Sequence, residues 1–311
     1  MQQTSMTALV SLFARAYHTE QDPCPVFRDP LARQLLTDEE YRQISAQMAA
    51  GISFFAPGFQ GTEAEALRHI VDHQLAPSPL GRAAFAEEAL ERAVAIGARQ
   101  YCLLGAGYDS FACRQPAWVR DLQIFEIDRP AALEDKCLRL ERAGLAVPDN
   151  VHFVPADLAQ PQWRQNLLDS GAFRRRVTFC SLLGLVYYLP RSAFAALLAA
   201  LGDLLPEGSS LVFDYPDADS AAARASRKQE ALAAEAGEPM ASGYTYREME
   251  RLLEEHGFLI YEHLLPHEIT SRYFSAHNRA QPLHPIEAFP HVNYCLAVRR
   301  GTPCKPQRYP L

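Results

Sequence analysis

The chain has 311 residues, 48% of them hydrophobic, enough to bury a full core either as one large α/β domain or as a domain carrying a sizeable cap. Its formal charge is −7 and its 30 Lys and Arg are scattered, so no basic stripe of the kind that neutralises phosphates is present, and nucleic acid is not an expected partner. Seven cysteines without a C-x-x-C pair suggest neither a disulfide framework nor a zinc site; with no basic head before an apolar stretch and no apolar run of 18 residues, the expectation is a cytoplasmic protein, neither secreted nor membrane-spanning.

Residues 1 to about 80 read as a helical cap. Leu9, Leu12, Phe13, Ala16 and Tyr17 recur at helical spacing, and DPLARQLLTDEEYRQI predicts a second helix with a proline in its first turn. From Gly81 helix and strand alternate: RAAFAEEALERAVAIG predicts an amphipathic helix stopped by Gly97, and YCLLGAG a buried strand. QIFEID, VHFVPADL, VTFCSLLGLV and SSLVFDYP follow as strands, with RSAFAALLAALGDLL as a helix before the last of them. Strands spaced by helical segments predict a parallel sheet with right-handed crossovers, a doubly wound α/β domain over residues 81–311. Residues 217–242, alanine-rich and charged, predict a helical insertion directly after the fifth strand, at the carboxyl end of the sheet where open α/β sheets bind ligands. YTYREMERLLEEHGF predicts a helix ended by Gly257, and FLIYEHLL and HVNYCLAVRR predict two final strands joined by a long loop, the last of them antiparallel.

The turn after the first predicted strand, Gly105-Ala106-Gly107, starts like a dinucleotide fingerprint, but Ser110 stands where a third glycine would let helix and strand pack behind a pyrophosphate. The two glycines still permit positive φ and close approach of backbone to a ligand, which suits an adenosyl group carrying no phosphate. Twenty-one residues after Gly107 the second strand ends on Asp128, whose carboxylate can accept both ribose hydroxyls. The third ends VPADL, where Asp157 can accept from an adenine amino group and Leu158 can pack on the ring. S-adenosylmethionine also carries a carboxylate suited to an Arg fork, and Arg82 opens the helix before the glycine strand.

With DPLARQLL, GRAAFAEEAL, LLGAGYDSFACR, FEIDRP, VPADL, LVYYLP and GYTYREMERLLEEHGF, the chain resembles the leucine carboxyl methyltransferase-like family of S-adenosylmethionine-dependent O-methyltransferases, from about Leu9 to Arg299. The resemblance implies a seven-stranded, Rossmann-like methyltransferase sheet, with cofactor contacts at Arg82, Gly105, Ala106, Gly107, Asp128, Asp157 and Leu158. In much of the family the fourth strand ends with an acidic residue that touches the cofactor, as in AEGLLMYLP, whereas this chain reads LLGLVYYLP. Leu183 therefore takes that place beside the cofactor, and a protein phosphatase C-terminus is not the expected substrate.

Methyl transfer from a sulfonium is an in-line displacement, helped mainly by holding the nucleophile near the methyl and excluding water. A carboxylate acceptor needs no general base, and a hydroxyl acceptor generally does. The acceptor pocket is expected between the cap, the end of the fourth strand and the insertion, with Tyr188 shaping the methyl site, Arg15 holding a substrate anion, and Tyr17, Tyr187 and Asp214 as further substrate contacts. His69 and His73, like His263 and His267, have helical metal-ligand spacing, but no third ligand is predictable and no metal is expected. Two other readings stay open: a degenerate sensor or scaffold that binds S-adenosylmethionine or S-adenosylhomocysteine, encouraged by Leu183, and a nicotinamide-dependent oxidoreductase, disfavoured by Ser110. The expected substrate is a small molecule, and the oligomeric state is left open.

Overall fold

Apolar runs of five to eight residues, each stopped by a glycine, proline or acid, form the strands of one sheet in the computed structural model, which describes residues 5–119, 121–218 and 243–301. In chain order these are β1 (Gln100–Leu104), β2 (Gln123–Asp128), β3 (Val151–Pro155), β4 (Thr178–Leu182), β5 (Ser210–Pro216), β6 (Phe258–Leu264) and β7 (Val292–Arg299). Their spatial order is β3-β2-β1-β4-β5-β7-β6, so β1 lies between β2 and β4 and the chain reverses direction of growth across the sheet there. The first five strands pair in parallel, and β7 runs antiparallel to both β5 and β6. The expected antiparallel final strand is thus present.

Period-2 alternation divides the core. Tyr101, Leu103, Phe179 and Val212 face one apolar cluster, while Cys102, Leu104, Cys180, Leu182, Leu211 and Phe213 face the other. The first cluster is closed by α1 (Met6–Gln21) and α5 (Pro77–Ala95), the second by α8 (Trp163–Asp169), α9 (Arg191–Leu204) and α10 (Tyr246–Glu255). Leu12, Phe13 and Ala16 of α1 share a core with the sheet, so the N-terminal helices pack on the same body rather than forming a core of their own.

The helical boundaries differ from expectation in two places. DPLARQLL forms turns, and the helix starts only at α2 (Asp38–Ala50). A capping box sets that start: the Thr37 hydroxyl accepts from the Glu40 N–H, and the Glu40 carboxylate accepts from the Thr37 N–H. Upstream, the Asp29 carboxylate accepts from the N–H groups of Leu31 and Ala32 and caps a run of turns that does not propagate into a helix. The second difference is α5, which begins at Pro77 rather than near Gly81, because prolines in a first turn lose no intrahelical donor. It follows α3 (Ile52–Phe55), α4 (Glu63–Ile70) and one π-helical turn, Val71–Leu75.

Short helices α6 (Phe111–Arg114) and α7 (Pro130–Arg142) follow β1 and β2. The connection from β6 to β7 is not a plain loop, since it contains α11 (Pro266–Ile269), a π-helical turn and α12 (Ser275–Ala280). Of the predicted insertion at 217–242, residues 219–242 lie outside the described residues. Among the described residues no helix is long and apolar enough to cross a membrane.

Candidate functional site

The carboxyl ends of β1 to β4, with α1 above them, surround one cavity of about 1270 Å³. At its base the chain leaves β1 through Gly105, at φ +77°, and Gly107, at φ +48°. The positive φ favours glycine there, and a Cβ on Gly105 would also lie 3.0 Å from Leu185 Cδ2, a contact to which that side chain would have to yield. The Asp128 carboxylate fixes this turn: Oδ2 accepts from the Gly107 N–H at 2.8 Å and Oδ1 from the Arg129 N–H at 2.7 Å. Each oxygen keeps a further lone pair, so both can still accept a vicinal diol. One strand over, Asp157 is exposed, with Oδ1 accepting from the Ala159 N–H at 2.9 Å, and Leu158 is buried beside it. A carboxylate suited to a diol, a second carboxylate able to accept from an amino group, and an apolar platform thus follow one another along the sheet edge.

The opposite end of the cavity is built on Arg82. Its guanidinium lies against Gly184, which turns the chain after β4 with φ +66°, and any Cβ on Gly184 would collide with it. Behind both stands Asp214 of β5, which is fully buried. Asp214 accepts from the Gly184 N–H at 2.6 Å and from the Tyr187 hydroxyl at 2.9 Å, while Arg82 Nη1 approaches only to 3.4 Å. Burial pushes the Tyr187 phenol well above its ordinary range, and the adjacent Asp214 charge adds to this, so it remains a donor. Arg82 makes one further long bond, 3.3 Å from Nη1 to Ser78 Oγ. Among the described residues its Nε and Nη2 donors have no hydrogen-bond acceptor, although the side chain is only 17% exposed. A fork so enclosed and so little used by the protein suits a bound carboxylate. The donor set therefore fits S-adenosylmethionine: Arg82 for its carboxylate, Asp128 for the ribose, and Asp157 with Leu158 for the adenine.

Of the residues singled out in the sequence, Arg15, Arg82, Gly105, Ala106, Gly107, Asp128, Asp157, Leu158, Leu183 and Tyr188 line this cavity. Tyr17, Tyr187 and Asp214 do not. Tyr187 and Asp214 support the wall from behind, and Tyr17 is buried among Arg68, Asp72 and Asp22 on the far face of α1. Arg15 reaches the cavity, yet its guanidinium is held by Asp29 Oδ2, at 2.9 Å, and by the Tyr108 carbonyl, at 2.6 Å, which reduces its availability to an anion. The lining also includes Thr7, Ala8 and Ser11 of α1, Asp109, and Ser181 at the end of β4. Thr7, Ser11 and Arg15 follow each other every fourth residue, a small polar stripe opposite Leu9, Leu12 and Phe13, and that spacing was the available signal. His69 and His73 stack edge to face with centroids 4.5 Å apart, and among the described residues no group of three His, Cys, Asp or Glu is arranged to hold a metal.

The strand order, the antiparallel β7 and the strand-end glycine, acid and acid define a Rossmann-like methyltransferase. The family model for leucine carboxyl methyltransferase matches residues 8–202, and the chain belongs to that family. It is 40% identical over 306 residues to YktD of Bacillus subtilis (strain 168), named as an S-adenosyl-L-methionine-dependent methyltransferase, covering 96% of this chain and 99% of the relative. A similarly named protein of Mycobacterium ulcerans (strain Agy99) is 32% identical over 210 residues, 68% of this chain and 64% of that one. Among solved structures, a DUF574-family protein from Streptomyces avermitilis superposes with a TM-score of 0.56 at 14% identity, covering 96% of this chain and 98% of its own, a likeness of fold. Family membership removes the nicotinamide-dependent alternative.

Proposed function

We propose that this chain transfers the methyl group of S-adenosylmethionine to an oxygen of a small molecule, a carboxylate or a hydroxyl. S-adenosylmethionine supplies, when bound, an electrophilic methyl on a sulfonium. Arg82 holds the carboxylate end, Asp128 the ribose, and Asp157 with Leu158 the base. The observation that carries the reading is the enclosed Arg82 fork with donors to spare, in one cavity with the Asp128-pinned glycine turn.

The cavity lining also includes Ser5, Thr7, Ala8 and Ser11 from the start of α1 and Leu183, Leu185, Tyr188 and Leu189 from the segment after β4. This apolar and hydroxyl surface would exclude water from the acceptor, with Tyr188 shaping the space where the methyl moves. An acceptor carboxylate is favoured, since it is nucleophilic without a base. The N-terminal helices serve as the cap, and residues 81–311 as the catalytic unit. The test is calorimetry with S-adenosylhomocysteine, followed by turnover on a panel of carboxylic acids and phenols read as S-adenosylhomocysteine formed. Binding with turnover on an oxygen acceptor supports the proposal. Leu183, in place of the family's acidic residue, favours a second reading as a cofactor-binding sensor, and binding without turnover across the panel would select it.

A further inference from the structure

Ser110 occupies the N-cap of α6, the position from which a serine usually closes a helix, yet its side chain makes no capping bond. Its hydroxyl instead donates to Asp29 Oδ1 at 2.7 Å, 81 residues earlier in the chain, and accepts from Arg114 Nε at 2.8 Å. Asp29 is 1% exposed and fully engaged. Oδ1 also takes the N–H of Ala32 at 3.1 Å and of Leu31 at 3.3 Å, Oδ2 takes Arg15 Nε at 2.9 Å, and its own N–H donates to Thr19 Oγ1 at 2.9 Å. Arg15 continues to the carbonyl of Tyr108 in the glycine turn, and Arg114 forks onto Glu87 of α5. One buried network therefore joins the loop after α1, α1 itself, the cofactor turn and α5. It brings α1 close enough that a Cβ on Gly107 would lie 3.8 Å from Ala8 Cβ.

Burying two guanidinium groups and two carboxylates is no efficient route to stability, because desolvation opposes the attraction; such networks are better at fixing one arrangement. The arrangement fixed here is the α1 wall of the cavity. We propose that Ser110 and Asp29 are positioning residues that seat α1 on the glycine turn, so that the residence time of the cofactor is set by a contact from the turn to the cap. The inference rests on the adenosyl-methionine reading of the cavity, and it gives Ser110 a reason to stand where a dinucleotide site has glycine.

The test compares full-length wild type with Ser110→Ala, Ser110→Thr and Asp29→Asn. For each, S-adenosylhomocysteine dissociation is followed by stopped flow and amide exchange is mapped along the chain. Ser110→Ala leaves Arg82, Asp128 and both glycines in place. It should nevertheless speed dissociation by about tenfold or more, the size expected when a hydrogen bond to a charged group is lost. Exchange should rise within residues 6–21 while β1 and β4 stay protected. Ser110→Thr, which keeps the hydroxyl, should restore both readouts, and Asp29→Asn should shift them as Ser110→Ala does. Wild-type dissociation and unaltered exchange in α1 for Ser110→Ala would overturn the inference. Failure of the wild type itself to bind S-adenosylhomocysteine is a different result, and would overturn the cofactor reading together with the inference.

Discussion

Arg82 and Gly184 share one volume: the guanidinium of Arg82 fills the space in which a side chain on Gly184 would begin. Gly184 is also held at φ +66°, a conformation that an L-residue adopts at a penalty of about 1–2 kcal/mol. Gly184→Ala should therefore lower the unfolding free energy by at least roughly that amount. It should also displace Arg82 and weaken S-adenosylhomocysteine binding. Urea unfolding and calorimetry measure the two effects, and unchanged affinity would separate Arg82 from the ligand.

Asp128 has two tasks, pinning the turn through the N–H groups of Gly107 and Arg129 and offering acceptors toward the cavity. In Asp128→Asn one oxygen becomes a donor, leaving a backbone N–H facing an NH₂ group. The expected loss in S-adenosylhomocysteine affinity is roughly 1.5–3 kcal/mol, or about 10- to 150-fold, by calorimetry. Full affinity would move the ribose elsewhere.

Tyr187 donates to buried Asp214 behind the cavity wall. Tyr187→Phe should reduce stability by about 1.5–3 kcal/mol, the range for a hydrogen bond to a charged acceptor, while leaving the acceptor KM of any active substrate unchanged. A variant of wild-type stability whose acceptor KM alone rises would return Tyr187 to the substrate side.

A second contact, between the N-terminal helices and the helix that follows β2, gives a pH signature. Arg139 of α7 forks onto Glu40 of α2, at 2.9 and 2.7 Å. Burial acts to raise the Glu40 pKa, but its bonds to Arg139 and Thr37 lower it from 4.5 to about 2. The folded value lies below the unfolded one, so the stabilisation is present above pH 4.5 and disappears as pH falls toward 2. Wild type should exceed Glu40→Gln in stability at pH 7 and approach it near the lower limit, as read by denaturant midpoints across pH.

The strand ends were legible because they depend on local pattern: an apolar run, then glycine or acid, places Gly105, Asp128 and Asp157 at one sheet edge once the strands are parallel. The support behind Arg82 was not legible, since Asp214 lies 132 residues away and reaches it through the pairing of β4 with β5 and the packing of α5 on β5. Tyr187 and Asp214 have side chains typical of a substrate pocket, and their direction is decided by which of the two buried faces of β5 Asp214 falls on and by the turn after β4 that carries Tyr187. The helix expected at DPLARQLL failed for a local reason, because the Thr37–Glu40 box takes the N–H groups of Thr37 and Glu40 that a continuous helix would bond to the carbonyls of Arg33 and Leu36. TDEE carried the capping signature in plain view.

The placement of β7 between β5 and β6 has a consequence for the growing chain. β6 is synthesised first, yet among the described residues its only neighbour in the sheet is β7, and β5 waits for the same partner on that side. Both must remain unpaired on that side until residues 292–299 emerge, a late closure of long sequence separation. Loss of that one segment would strand a second, and the polypeptide would be left with an open β5 edge that invites association between nascent copies.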